Sequence, residues 1–533
     1  MSAFVFRWRA VAACVSLLTL IPLAVIAAGF LAPDVEVWRH LAEHALPELW
    51  RNTAILLLGV GAGVLLLGVP LAWLTAVHDF PGRRFFSWAL MLPLAMPAYV
   101  MAFSQLGLFD FTGPLQTWLR EAFGSSSWVP DIRSAPGVVM TLTLAFYPYV
   151  YLLARNAFAT MGRRALEVGQ SLGLSPLAGF RRVALPMARP WIIAGLSLAW
   201  METLADFGAV AVFNFDTFTS AIYKAWFSLF SLPAAKQLAS LLVLLALVVL
   251  WLEQRARGQR AYGGAGRAAP LPRMRLAGAR GWLACAGCAL VLLLAFVLPF
   301  GQLALWAAEH ALDELEGLFE PLRSSLLLAA LAALLVPALA LLLAFAARRD
   351  SRSRPWTRLA TLGYAVPGTV LAVGVFAPVA ALDNFLLEHF GFWLPEGGTA
   401  VFKGTLLVML LAYCSRFLAV GHSVLDSAMQ RIGRVQEEAA QGLGLSGWRL
   451  AWRLHLPLLR GGLATAMLMV FVDVMKEMPI TLMTRPFGMD TLAVRIFNLT
   501  SEGEWQRAAL PSVAIVLAGL VPVLLLSRQK SGA

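Results

Sequence analysis

A chain of 533 residues that is 59% hydrophobic and only 14% charged, with 18 Trp and 32 Phe, carries more apolar surface than a water-soluble core can bury. The bilayer is therefore its solvent. The net charge of +12 has to be read by position, and its spread over separate loops argues against a nucleic-acid surface.

Apolar runs of about 20 residues, long enough to span hydrocarbon as helices, predict twelve crossings in an all-α polytopic protein. They lie at 11–32, 52–77, 86–108, 136–154, 190–213, 237–252, 282–306, 324–346, 358–382, 404–425, 461–483 and 508–527. The first follows Arg7 and Arg9 in the manner of a signal peptide. It is long, and no convincing small-residue cleavage site precedes the acidic stretch at Asp34, so it is read as an uncleaved first helix. Next comes "HLAEH", His40 to His44, which spells HxxEH with two histidines one helical turn apart. Without a third ligand nearby, an amphipathic surface helix explains it better than zinc catalysis. "DFPGRR" (79–84) resembles part of a loop of the major facilitator transporters, but Thr75 takes its glycine position and Phe80 its first arginine. A basic turn between helices accounts for it.

Between the fourth and fifth runs stands a polar stretch, "LEVGQSLGLSPLAGFRRVALP", Leu166 to Pro186. Gly173 suits the left-handed residue that ends a helix. Ser175-Pro176 then reads as an N-cap with proline at the first helical position, and Leu185-Pro186 opens the run into the membrane. The fifth run carries Glu202 and Asp206 at i,i+4. Intramembrane acids are costly and mark a pathway, a relay or an ion pair. An Arg/Gly-rich linker covers 254–281, and Cys285 and Cys288 just beyond it form a lone CxxC at the start of an apolar helix, a weak metal or redox signal.

The second half repeats the first. Offsets of 271 align Glu167 with Glu438, Gly173 with Gly444, Leu185 with Leu456, Pro186 with Pro457, Glu202 with Asp473 and Asp206 with Glu477. Pro97 and Pro367 pair more loosely. The predicted domains are 1–253, with the loop 167–186, and 282–533, with the loop 438–457. Six crossings separate the two loops, so both emerge on one face. Most of the 42 basic residues fall on that face, whereas Asp34, Glu36, Glu43, Glu309, Asp313 and Glu314 fall on the other. The positive-inside rule makes the arginine-rich face cytoplasmic, with both termini inside, and relates the halves by a pseudo-two-fold axis along the membrane normal. The four acids would then surround that axis, where a cation could pass; Lys476 beside Glu477 favours instead a charge network that holds or gates the fifth helices.

Glu438-Ala439-Ala440, three residues, Gly444, nine residues, Leu454, one residue, Leu456-Pro457 resembles the EAA loop of ABC-importer permeases. The resemblance implies a tandem pair of type I (MetI-like) transmembrane domains whose loops act as coupling helices in a cleft of the ATP-binding subunit. The first copy departs from the pattern: Val168 and Gly169 replace the alanines, and Val183 holds the aliphatic position. Its helix is expected to be weaker, since glycine costs about 1 kcal/mol there. "HDFPGRRFFSWALMLPLAMPAYVMAF" (78–103), "METLADFGAVAVFNFDTFTSAIYKAWF" (201–227) and "MKEMPITLMTRPFGMDTLAVRIFNL" (475–499) are similar to the fused twelve-span permeases of ferric-ion importers, the Fbp/Hit/Sfu group. The related thiamine permeases share the fused pattern, so that substrate stays open.

The expectation is a transport subunit of the bacterial cytoplasmic membrane, not an enzyme. It would carry no cofactor of its own and work with two copies of an ABC ATPase that hold ATP and Mg, together with a periplasmic substrate-binding protein. No GxxxxGK[ST] P-loop occurs in the chain. The alternative of another class is a secondary transporter driven by an ion gradient through the acids.

Overall fold

The computed structural model describes residues 2–31, 35–171, 173–257, 273–390 and 401–529. They form two compact units. One comprises Met1–Arg39, Ile222–Leu241 and Leu315–Phe497; the other comprises His40–Ala221, Leu242–Glu314 and Asn498–Ala533. These units cross the sequence repeat. The opening helix of each half belongs to the unit built mainly from the other half's helices.

Ten helices among the described residues are long and apolar enough to cross a membrane: Trp8–Leu31, Leu46–Val77, Ala135–Ala159, Leu177–Ala205, Leu232–Ala256, Ala279–Glu309, Gly317–Arg349, Gly368–His389, Leu406–Gln430 and Ala451–Lys476. The last predicted run is a shorter apolar helix, Ala509–Leu524. The third predicted run is broken: Arg83–Ala95 and Ala98–Phe123 meet at 97°. A proline explains the break. Pro97 forces Met96 into the extended region (φ −96°, ψ 121°) after a 3₁₀ turn at Leu92–Ala95. Pro367 does the same to Val366 (φ −99°, ψ 129°) after the 3₁₀ turn Thr361–Ala365.

In the first unit small residues let helices approach closely, as packing in lipid requires. Ala12, Ala340, Leu343, Leu418 and Ala466 share one buried cluster. A Cβ on Gly374 would lie 2.9 Å from the Pro22 carbonyl oxygen, so only glycine fits that contact. Arg9 pairs with Asp350, and Thr19 Oγ1 donates to the Ala360 carbonyl at 2.9 Å.

The second unit is organised by Leu46–Val77 against Ala135–Ser171. Gly59, Gly63 and Gly68 line that contact; a Cβ on each would fall 2.8, 2.4 and 2.8 Å from Val139, Thr143 and Val150. A two-residue parallel ladder, His78–Asp79 with Met274–Arg275, ties the chain leaving the linker to the turn after the helix Leu46–Val77.

Candidate functional site

The two polar loops share one backbone design. Helix Arg434–Gly442 starts after Gly433, whose N–H donates to Gln436 Oε1 at 3.2 Å. It ends with Gly444 at φ +82°. The Leu445 N–H donates to the Ala440 carbonyl at 3.0 Å and the Gly444 N–H to the Gln441 carbonyl at 2.9 Å. These two bonds define a Schellman stop, which satisfies carbonyls that a helix end leaves orphaned. Gly173 takes the matching left-handed conformation (φ +75°) after helix Ala135–Ser171. Beyond it Ser175 Oγ accepts from the Ala178 N–H at 3.4 Å, the expected N-cap.

Each loop then enters the membrane through a π turn, Phe180–Ala184 and Ala451–His455, positions related by the same offset of 271. The Leu185 N–H reaches back to the Phe180 carbonyl and the Leu456 N–H to the Ala451 carbonyl. Pro186 and Pro457 follow directly; they bring no N–H and their rings crowd the carbonyl four residues back, a clash that a widened turn relieves here, whereas Pro70 and Pro148 lie in helices without such a turn. The same Leu-Pro step elsewhere gives the same result, since a π turn at Leu293–Val297 precedes Leu298-Pro299. The wide turn thus recurs at these three Leu-Pro steps, two of which are the loops' entries into the membrane.

Side chains anchor the two loops differently. In the second, Glu437 accepts from Arg348 Nε at 3.0 Å and from His455 Nε2 at 2.8 Å, while Arg348 Nη2 donates to the Ile432 carbonyl at 2.8 Å. Partial burial pushes the Glu437 carboxyl up, but the hydrogen bonds from His455 and Arg348 outweigh it and hold the group below the usual carboxylate range. One carboxylate thereby joins the polar helix to the end of Gly317–Arg349 and the start of Ala451–Lys476. The motif glutamate, Glu438, is exposed beside it, as are Ala439 and Gly444, whereas Ala440 is buried. Two apolar side chains also face out, Val435 at 76% and Leu443 at 84% exposure.

The first loop uses rings. Trp73 meets Phe158 at 5.0 Å and Phe180 at 4.7 Å between centroids, and Phe158 meets Phe180 at 6.2 Å. Leu177 is left 59% exposed. Glu167 lies in helix Ala135–Ser171, but its side chain is outside the described set.

The second acid of each intramembrane pair closes its helix. Helix Leu185–Ala205 ends before Asp206 and helix Leu456–Lys476 before Glu477; both acids are extended cap residues (ψ 126° and 121°). Both keep a helical φ (−66° and −72°), so each still follows its partner, Glu202 or Asp473, by one turn while its backbone leaves the helix. Each carboxylate turns onto the short helix that follows. Asp206 Oδ1 accepts from the Val210 N–H at 3.1 Å. Glu477 Oε1 accepts from the Ile480 N–H at 2.9 Å, and its Oε2 from the Thr481 N–H and Oγ1, both at 3.0 Å. Paired breaks in the fifth helices are thus capped by acids that satisfy otherwise orphaned N–H groups. Glu202 and Asp473 are half-buried.

Sequence reasoning missed Glu437, Arg348 and His455. The signal was present: a histidine within "RLHLP" is an unusual polar group at the mouth of an apolar helix. The HxxEH histidines stack on each other at 4.8 Å between ring centroids. No group of three or more His, Cys, Asp or Glu is placed to hold a metal among the described residues.

The family described as "Binding-protein-dependent transport system inner membrane component" matches this chain twice, over residues 68–258 and 323–529. The chain belongs to that family. The permease is 28% identical over 491 residues to the "Fe(3+)-transport system permease protein FbpB 2" of Haemophilus influenzae, covering 91% of this chain and 90% of that one. It is also 27% identical over 223 residues to the "Molybdenum transport system permease protein ModB" of the same organism, covering 39% of this chain and 94% of that one. A solved bacterial alginate ABC transporter in complex with a pentasaccharide-bound periplasmic protein superposes with a TM-score of 0.37 at 18% identity, over 46% of this chain and 93% of that one. The permease is a multi-pass transport subunit of an ABC importer, and the gradient-driven alternative is set aside.

Proposed function

We propose that the permease carries iron(III) through the cytoplasmic membrane, driven by two ABC ATPase subunits that grip the loops 167–186 and 438–457. The observation that carries the coupling role is Glu437. It bolts the helix Arg434–Gly442 to two membrane helices while Val435, Glu438, Ala439 and Leu443 stay exposed for a partner. A helix held in this way can transmit a push instead of absorbing it. In the first loop Gly173, Leu185 and Pro186 serve the same path, as do Gly444, Leu456 and Pro457 in the second. ATP and Mg belong to the partner subunits. Closure of an ATPase dimer would draw both loops together and rock the repeats, opening the path outward to a periplasmic binding protein. The charge asymmetry of the sequence supports a cytoplasmic position for both loops and both termini.

Two features support iron(III). The ferric-ion relative is matched over both halves and so shares the fused two-domain build, whereas the molybdenum relative, matched over 94% of its own length at 27% identity, is a shorter chain. The permease also presents acids, Glu202, Asp206, Asp473 and Glu477, along its fifth helices. Asp206 and Glu477 cap the helix breaks, and in this reading they support a gate beside the cation's path. Hard oxygen ligands suit a hard cation.

The test is uptake in proteoliposomes holding the permease, its ATPase and its binding protein. Radioactive iron(III) is expected to enter with ATP and to be unaffected by excess molybdate, sulfate or thiamine; uptake of one of those in place of iron overturns the substrate. Gly444→Asp, which puts a side chain at φ +82°, is expected to abolish ATPase binding and uptake while insertion persists. Unchanged uptake in that variant overturns the coupling role.

A further inference from the structure

A cleft of about 640 Å³ lies within the second unit, beside the arginine-rich face. Its walls come from Leu66, Pro70, Trp73, Leu283 and Val291, with Leu177 and Phe180 of the first loop along one side. The lining is almost wholly apolar. Leu66 and Leu283 are 74% and 72% exposed, and Trp282 beside them 66%, so the cleft opens on the surface that faces hydrocarbon. Water finds no partners on such walls.

At one end the character changes. His78 and Met274 line the cleft and are paired in the short parallel ladder. That pairing brings Arg273 to the turn carrying Arg83 and Arg84. Pro81 and Gly82 pack on the start of the helix Ala279–Leu292: a Cβ on Gly281 would sit 3.3 Å from Pro81 Cδ, and one on Gly82 3.9 Å from Cys285 Sγ. Arg83 is engaged by Asp79 at 3.2 Å, and Arg155 donates to the Ser87 carbonyl at 2.8 Å. Arg84 and Arg273 are exposed and have no carboxylate at ion-pair distance among the described residues. Partial burial and the neighbouring Arg83 lower the Arg273 pKa, opposed by Asp79, with Arg155 and Arg84 adding to the fall. Arg83, Arg84 and Arg155 are near enough to act on the charge of Arg273, which directly precedes the cleft-lining Met274, and Asp79 is the one carboxylate among them.

We infer that this cleft binds an anionic phospholipid, its phosphate held by Arg84 and Arg273 and one acyl chain lying along Leu66, Trp73 and Val291. Basic pockets between membrane helices on the cytoplasmic side suit such headgroups, and Arg grips phosphate through its planar fork. Because Leu177 and Phe180 form one wall, the lipid also braces the first loop, whose helix carries Gly169.

The test is native mass spectrometry of the full-length permease offered phosphatidylglycerol or phosphatidylcholine. Phosphatidylglycerol is expected to stay bound to the wild type, and at least about tenfold less to the double variant Arg84→Gln/Arg273→Gln. Gly287→Phe, which grows into open space within the cleft, is expected to lose the lipid with every arginine in place. The double variant Arg354→Gln/Arg358→Gln, an equal loss of charge elsewhere on the same face, is expected to retain it. Equal retention by wild type and the double variant, equal binding of phosphatidylcholine, or full displacement by glycerol phosphate with no effect of Gly287→Phe overturns the inference, the last result indicating a site for free phosphate.

Discussion

The two polar loops follow one backbone path with different glue. Both turn at a left-handed glycine and both enter the membrane by a π turn ahead of Leu-Pro. The first is held by the rings of Trp73, Phe158 and Phe180; the second by the carboxylate of Glu437 between Arg348 and His455. Position 437 corresponds to Leu166 and position 455 to Ala184, so the ionic anchor has no counterpart in the first copy. The comparison teaches that the repeat preserves geometry, and that the chemistry holding the geometry is free to diverge. An apolar cluster is non-directional and tolerates a shifting contact. A carboxylate with two partners fixes a distance, but depends on charge.

The largest effect is expected from removing the ring at the centre of the first anchor. Trp73→Ala takes away the group touching both phenylalanines and should cost about 3 kcal/mol, the usual scale for an aromatic truncated to alanine in a packed site. Thermal unfolding of the purified permease measures it, and a loss below about 1 kcal/mol would mean the cluster is incidental. Glu437→Ala should cost about 2 kcal/mol, discounted from the fully buried case because Glu437 and Arg348 keep 19% and 23% of their side-chain exposure. Crossing it with Arg348→Ala isolates the pair; a coupling indistinguishable from zero would show that the ion pair does no anchoring.

Acid should separate the loops most finely. The Glu437 carboxyl titrates lower in the folded protein than in the unfolded chain. Its stabilisation is therefore fully present above the ordinary glutamate value of about 4.3 and is lost as pH falls through the lower folded value. Hydrogen exchange of residues 434–442 should rise over that window in the wild type and lose the dependence in Glu437→Gln. The ring-held first loop, 176–184, should stay flat. Equal acid sensitivity in both loops would contradict the difference.

Much of this was legible in the chain. The offset of 271, the glycines at 173 and 444 and the Leu-Pro steps gave the loops their place and their turns, because each is a local rule with a fixed residue. The breaks were not legible. Hydropathy runs unbroken past Met96 and Pro97, and the pre-proline residue, not polarity, ends the helix there. Asp206 and Glu477 carry the spacing of a helix face, and only the chain's exit from the helix turns them into caps. The motif pointed at Glu438, while the tie to the membrane helices falls on Glu437, since Arg348 is 89 residues away in the chain and no local pattern links them.

The most direct measurement is disulfide trapping between the loops and the ATPase. With the four native cysteines changed to alanine, Ser175→Cys and Leu443→Cys, both exposed, are each paired with cysteines in the cleft of the co-expressed ATPase subunit. The account predicts that both positions cross-link, that ATP changes the yield, and that neither reacts with a membrane-impermeant thiol reagent added to the periplasm. Labelling of either position from the periplasm, or cross-linking at only one loop, would contradict it.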